Sequence, residues 1–359
     1  MQASRRLVLG ALGALPFVSA CGHSTAITDT SRYLACARTP EGTFAAVVLN
    51  GAGEMLSTIP LPGRGHTAAI SPDKAHVIVF GRRPSEFMVA INLETSKPIA
   101  EIRSRADRRF YGHGCFSADS KLLYASENAY QETSGVIGVY DPADGYKRVG
   151  EVPSGGIGPH QLILLRDGKT FAVANGGIET DPDFPRAKLN LTTMISNLAY
   201  LDVATGKIVD CVEAPQDFHQ LSLRHIAETA DGAIWIGGQY EGLASDHAPL
   251  IAIHRRGEAA LEFAGTQPDN TVLDNYIGSL VSSADHSKIA LTSPRGGILQ
   301  VWHAGDRKLL TQQSIMDVCG VSPAGSDFLA SDGAGRLWRS SDLLALEEGW
   351  SWDNHIVPL

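Results

Sequence analysis

Five histidines recur where the chain enters what reads as the same strand. "GRGH" ends at His66, "FYGHG" carries His113 and "GIGPH" ends at His160, each 47 residues after the last. "LSLRH" then brings His225 and "WDNH" brings His355. One histidine at a strand end is ordinarily a hydrogen-bonded packing residue. Five at equivalent positions, in a chain with 12 histidines among 359 residues, form a donor set. Neutral imidazole nitrogen is a ligand for iron, copper, nickel and zinc, so the series points to a bound transition metal, with iron or copper expected. Five imidazoles cannot all reach one ion, so three or four neighbours, or two ions, are expected.

A second set of loops is expected on the same face. It carries Arg82 and Arg83, Glu127 and Asn128, Asn175, then Gln239, Tyr240 and Glu241, and finally Arg295. Glu127 and Glu241 would add oxygen ligands to the imidazoles. Arg82, Arg83 and Arg295, with Gln239 and Tyr240, would hold an anionic ligand, because guanidinium groups grip oxyanions bidentately. The insertion "GGIETDPDFPRAKLNLTTMIS", with Glu179, Asp181 and Asp183, is placed to cover the mouth. Cys115 and Cys319 read first as small buried packing residues, with thiolate ligation of Cu(I) the weaker alternative. His76 and His286 open second strands and are expected on the opposite rim, as surface residues.

Such a ring of side chains needs a repeating scaffold. From Ser31 onward, short alternating apolar runs are separated by turns rich in Asp, Gly, Pro and Ser, which is a strand pattern. "FAAVVLN", "FMVAINL", "GVIGVYD", "NLAYLD", "PLIAIH", "ILQVWH" and "RLWRSS" lead seven units, and seven units of 47 residues account for residues 31 to 359. The gap from His160 to His225 is 65 residues, and the insertion supplies the excess of 18. Four strands per unit predict an all-β, seven-bladed β-propeller in one domain, residues 31–359. The chain enters mid-unit at "YLACART" and ends in "WDNHIVPL", so pairing the C-terminal strand with the N-terminal blade would close the ring. In this count the two remaining entry positions are "NYIGS" around Gly278 and "DVCG" with Asp317 and Cys319. His66 and His160 lie five residues before the next turn, His113 and His225 four. One residue reverses facing in a strand, so a common direction requires bulges.

The formal net charge of −9 and the absence of a Lys/Arg cluster exclude nucleic acid as a partner class. Residues 1–20 read as an export signal: Arg5 and Arg6 resemble a twin-arginine motif, and "VSAC" resembles a lipobox that would lipidate Cys21. Residues 21–30 would then tether the propeller to the membrane. Gly22 after the cysteine favours the outer membrane by the same resemblance. Cys36, Cys115, Cys211 and Cys319 match no zinc spacing.

"GRGH", "SGGIGPH", "VANGGIET", "LSLRH", "QYEG", "TSPRGG" and "DVCGV" together resemble the family called domain of unknown function 1513. The resemblance implies an exported bacterial protein encoded beside imelysin-like lipoproteins and di-haem peroxidase-like proteins in iron-responsive loci. It therefore implies envelope iron acquisition or metal handling, with those proteins as partners. The family carries no established activity, so no catalytic residue transfers. The leading expectation is a metal-binding lipoprotein on the periplasmic side of the envelope. The alternatives are a lactonase- or oxidoreductase-like propeller enzyme using the same His/Arg funnel, and a docking platform for the imelysin-like or peroxidase-like partners.

Overall fold

A computed structural model describes residues 31–184 and 187–359. Arg5, Arg6 and Cys21 lie outside the described residues. Seven four-stranded antiparallel sheets follow one another around a central channel, as the repeat predicts. Ring closure also follows the expectation. Ser351–Pro358 pairs with Arg32–Arg38 and becomes the innermost strand of blade 1, so one blade is built from both chain ends.

Burial grades outward through each blade. The second strand of blade 1, Phe44–Asn50 counted along the chain, is buried through its centre because neighbouring blades cover both faces. The outer strand Lys97–Arg103 of blade 2 is mostly exposed. The core therefore lies between blades. Ile78, Phe80 and Met88 of blade 2 meet Phe110, Phe116 and Tyr140 of blade 3. Farther round, Trp235 and Trp302 pack with ring centroids 6.4 Å apart. Among the described residues, the α-helix is the short turn Gln267–Thr271, and no helix is long and apolar enough to cross a membrane.

A repeated turn sets the rim farthest from the histidines. Ser71 donates to Asp73 at 2.6 Å, Ser117 to Asp119 at 2.7 Å and Ser283 to Asp285 at 2.6 Å, each closing the hairpin between first and second strands. His76 and His286 do lie on this rim, half-buried rather than free on the surface. The His76 ring pairs with the Tyr146 hydroxyl at 2.7 Å, and His286, in the left-handed conformation at φ 57°, reaches the Glu228 carbonyl at 3.2 Å.

The register problem has a structural answer. In Gly65–Ile70, Gly65 faces Gly81 and Thr67 faces Phe80, so His66 is an extra residue. His160 is extra in the same way in Pro159–Leu164. In Leu221–Glu228 the extra residue is Arg224. In blade 3, Tyr111, Gly112 and His113 together face Ser126; in blade 1, Asp353, Asn354 and His355 face Cys36. All five histidine-bearing strands are thus bulged, and bulges re-aim side chains that simple alternation would split between faces.

Candidate metal centre

The bulges bring the five imidazoles into one buried cluster. Around the channel, neighbouring ring centroids are 4.6 Å apart for His355 and His66, 5.0 Å for His66 and His113, 4.7 Å for His113 and His160, and 4.9 Å for His160 and His225. His225 and His355, which flank the two blades without a channel histidine, are 4.9 Å apart and complete the circuit. Close approach depends on Gly112, which has φ +97°; a Cβ there would lie 2.6 Å from the His66 ring. The Ser126 hydroxyl bonds the carbonyl oxygens of His113 and His160, at 3.0 and 3.2 Å, fixing both strands.

Three of the rings are oriented by neighbours. Nδ1 of His66 donates to Asp353 at 3.1 Å and Nδ1 of His225 donates to Gln161 at 3.3 Å, so in each ring the proton sits on Nδ1 and Nε2 carries the lone pair. Nδ1 of His355 pairs with the Ser279 hydroxyl at 3.1 Å. Asp353 also receives Arg64 at 2.5 Å and Arg82 at 2.9 Å. Burial alone would raise the Asp353 pKa, but His66, Arg82 and Arg64 hold it well below the usual carboxylate range.

Other nitrogens have no partner. Nε2 of His113, both ring nitrogens of His160 and Nε2 of His355 are buried with no hydrogen bond. Each such orphan costs about 1–3 kcal/mol, a cost that a coordinated ion would remove for one nitrogen of each ring. Two groups of three imidazoles offer nitrogens within 4.8 Å of one another: His66, His113 and His160, and His113, His225 and His355. They share His113. Burial is the main cause that pushes the His113, His160, His225 and His355 pKa values well below their ordinary range, helped by neighbouring imidazoles and arginines. His66 is lowered too, by burial, with Asp353 partly offsetting it. Neutral imidazoles without protons to displace are in the metal-binding form.

The cluster divides the channel. Above it, His66, His160, His225, Gln239 and Tyr276 line a cavity of about 40 Å³ together with Arg82 and Arg83. The same two arginines border an outer cavity of about 270 Å³, walled by Tyr111, Asn128 and, from the insertion, Ile178, Thr180 and Lys188. The insertion thus forms one wall of this outer cavity, and the hydroxyls of Tyr111 and Thr180 bond at 2.5 Å. Below, His113 and His355 end a channel of about 440 Å³ lined by apolar side chains and Cys115.

The remaining residues singled out by the sequence sit apart from the imidazoles. Both Glu127 oxygens turn into the blade, accepting from Tyr140 at 2.6 Å and Arg148 at 3.0 Å. Glu241 pairs with Lys188, and neither glutamate joins an imidazole group. The Tyr240 hydroxyl donates to Asp246 at 2.8 Å, and Asn175 sits in a buried network with Ser154 and Asn197. Arg295 is exposed over the Tyr276 ring, with 4.6 Å from guanidinium to centroid. Asp181 lines the outer cavity, Glu179 bonds Thr133 at 3.4 Å and Asp183 is exposed. The four described cysteines are free thiols, and burial raises Cys115 and Cys319 to about 12, too high for a ready thiolate.

Two groups at the site escaped the sequence reading. Asp353 stands two residues before His355 yet orients His66, a contact that exists only once the ring has closed. Arg224, beside His225, is buried with Nε and Nη2 unpartnered. Burial, with Arg83 nearby, lowers its pKa to about 9, so it stays cationic at neutral pH. The adjacent "RH" was the available signal.

The sequence model of the family described as "Protein of unknown function (DUF1513)" matches residues 59–359, six of the seven blades and the closing strand. The chain belongs to the DUF1513 family. Among solved structures, this DUF1513 chain is similar to Kuenenia stuttgartiensis hydrazine synthase, with a TM-score of 0.63 and 14% identity over 91% of this chain and 99% of that one. At that identity the likeness concerns the propeller fold alone. No curated protein matches the chain.

Proposed function

We propose that the protein binds a transition metal, iron or copper, through His66, His113, His160, His225 and His355 in the propeller channel. The observation that carries this reading is the set of buried imidazole nitrogens with no hydrogen-bond partner. Native interiors satisfy their polar groups, and three neutral rings with unpaired nitrogens, each with one lone pair to give, are matched to something that accepts lone pairs. The donor set is all imidazole, which suits borderline divalent ions and leaves thiolate chemistry aside. Asp353, Gln161 and Ser279 act as outer partners that fix ring orientation, as carboxylates and amides do around metal-bound histidines. Both groups of three use His113, whose neutral ring has one lone pair to give, so they are alternative sites for one ion and His113 is the pivotal ligand.

The setting in this proposal is the periplasmic side of the envelope. Cys21 is the lipid anchor, Arg5 and Arg6 belong to the export signal, and metal handling proceeds beside imelysin-like or peroxidase-like partners. The test is elemental analysis of protein purified from the envelope, compared with a His113→Ala/His160→Ala variant. About one ion per chain is expected in the native protein and near zero in the variant. Native protein that holds only trace metal, and gains none on addition of Fe(II), Cu(II), Cu(I) or Zn(II), would overturn the proposal.

A further inference from the structure

The arginines around the upper cavity are not equivalent. Arg82 is committed to Asp353 at 2.9 Å, Arg109 to Glu86 at 3.0 Å, and Lys188 to Glu241. Among the described residues, the side chains of Arg83 and Arg224 form neither an ion pair nor a hydrogen bond. Arg83 lies over the Tyr111 ring, 5.7 Å from its centroid, and lines both the inner and the outer cavity. Arg224 is 1% exposed, with Nε and Nη2 buried and unpartnered. It occupies the bulge directly before His225, and room for its guanidinium is kept by Gly176, where a Cβ would come within 3.3 Å of Cζ. The carboxylate that most favours its charge is Glu241, which already serves Lys188.

Burying a guanidinium without a counter-charge is among the costliest arrangements in a protein, and folded chains keep one where an anion completes it. The imidazoles below cannot supply that charge, since neutral rings carry none. We infer that Arg224 and Arg83 form an anion site above the histidine cluster, which takes a small oxyanion or carboxylate. The inner cavity of about 40 Å³, lined by Arg83 and by His225, the residue next to Arg224, admits only the charged head, while the outer cavity of about 270 Å³, also lined by Arg83, has room for a short carbon skeleton against Tyr111, Pro84 and Ile178. The shared chemistry is two oxygens gripped by planar N–H pairs. This inference deepens the metal reading, since the anion would sit beside the bound ion, but the two arginines need no metal to hold it.

The experiment uses the metal-free full chain in low-salt buffer, titrated calorimetrically with malonate, citrate and inorganic phosphate in separate runs. Binding of at least one is expected, and Arg224→Gln and Arg83→Gln should each weaken it tenfold or more. Preference for malonate or citrate over phosphate would assign an organic carboxylate; the reverse would assign an inorganic oxyanion. Circular dichroism melts show whether each variant is folded, and Arg83→Gln, at a half-buried position, keeps the test decisive if Arg224→Gln does not fold. Absence of binding by native protein at millimolar concentration, or unchanged binding by folded variants, would overturn the inference. Metal content measured on the same samples separates the two readings: metal without anion binding removes only the anion site, and anion binding without metal leaves it standing.

Discussion

His254 and His160 are both buried histidines near strand ends, and the molecule treats them in opposite ways. His254, between blades 4 and 5, has Nδ1 on the Tyr200 hydroxyl at 2.8 Å and Nε2 on the Glu258 carbonyl at 3.0 Å. The carbonyl only accepts, so Nε2 holds the proton and Nδ1 accepts from Tyr200. His160 is equally hidden and has neither nitrogen paired. Burial therefore does not separate a satisfied histidine from an unsatisfied one; the balance of donors and acceptors does. His254 is satisfied within the fold, and both nitrogens of His160 are left unpaired.

The difference can be strained hardest with acid. The four strongly lowered imidazoles stay neutral in the folded protein while the unfolded chain takes up protons below about pH 6.5. The unfolded state then binds more protons, so stability falls as pH falls. Between pH 7.5 and 5.5 the metal-free protein should lose roughly 5 kcal/mol, at about 1.4 kcal/mol per imidazole for each pH unit below 6.5. Urea midpoints across this range measure it, and a His160→Leu variant should show a shallower slope. A flat profile would mean that the cluster is reached by protons in the folded state.

Substitution gives the next largest contrast. His254→Leu strands the Tyr200 hydroxyl and should cost about 2–3 kcal/mol. His160→Leu removes two unpaired nitrogens and should change the stability of metal-free protein by less than about 1 kcal/mol in either direction, measured by the same midpoints. If His160→Leu proves the more damaging change, the cluster is a packing device like His254. The smallest effect is expected at the rim, where Glu241→Gln loses a partly exposed ion pair with Lys188. That variant should retain native metal content, with a stability change within about 1 kcal/mol.

The repeat, the blade count, the closing strand and the convergence of five histidines were legible because each follows from local pattern: alternation, turn residues and a fixed spacing. The facing of His113 and His225 relative to His66 and His160 was not. A bulge adds a residue without changing the hydrophobic alternation on either side, and only pairing shows that Arg224 or His66 is the extra one. Glu127 misled for the opposite reason. Its loop position suggested the channel, but regular pairing with Val136 and Phe110 turns the carboxylate to Arg148 and Tyr140 inside the blade. Asp353 and Arg224 act through contacts between blades, which spacing along one strand cannot reveal.

Closure of the ring by Ser351–Pro358 also sets a timetable. This strand is made after the other described strands of the ring and carries His355, one of the five clustered histidines, and Asp353, the residue that orients His66. Until that strand docks beside Arg32–Arg38, the group of His113, His225 and His355 lacks a member and His66 has no carboxylate against it. Six blades made in order can hold only part of the cluster. An ion bound by the whole cluster would thus report that Arg32–Arg38 and Ser351–Pro358 have met, and would hold them together.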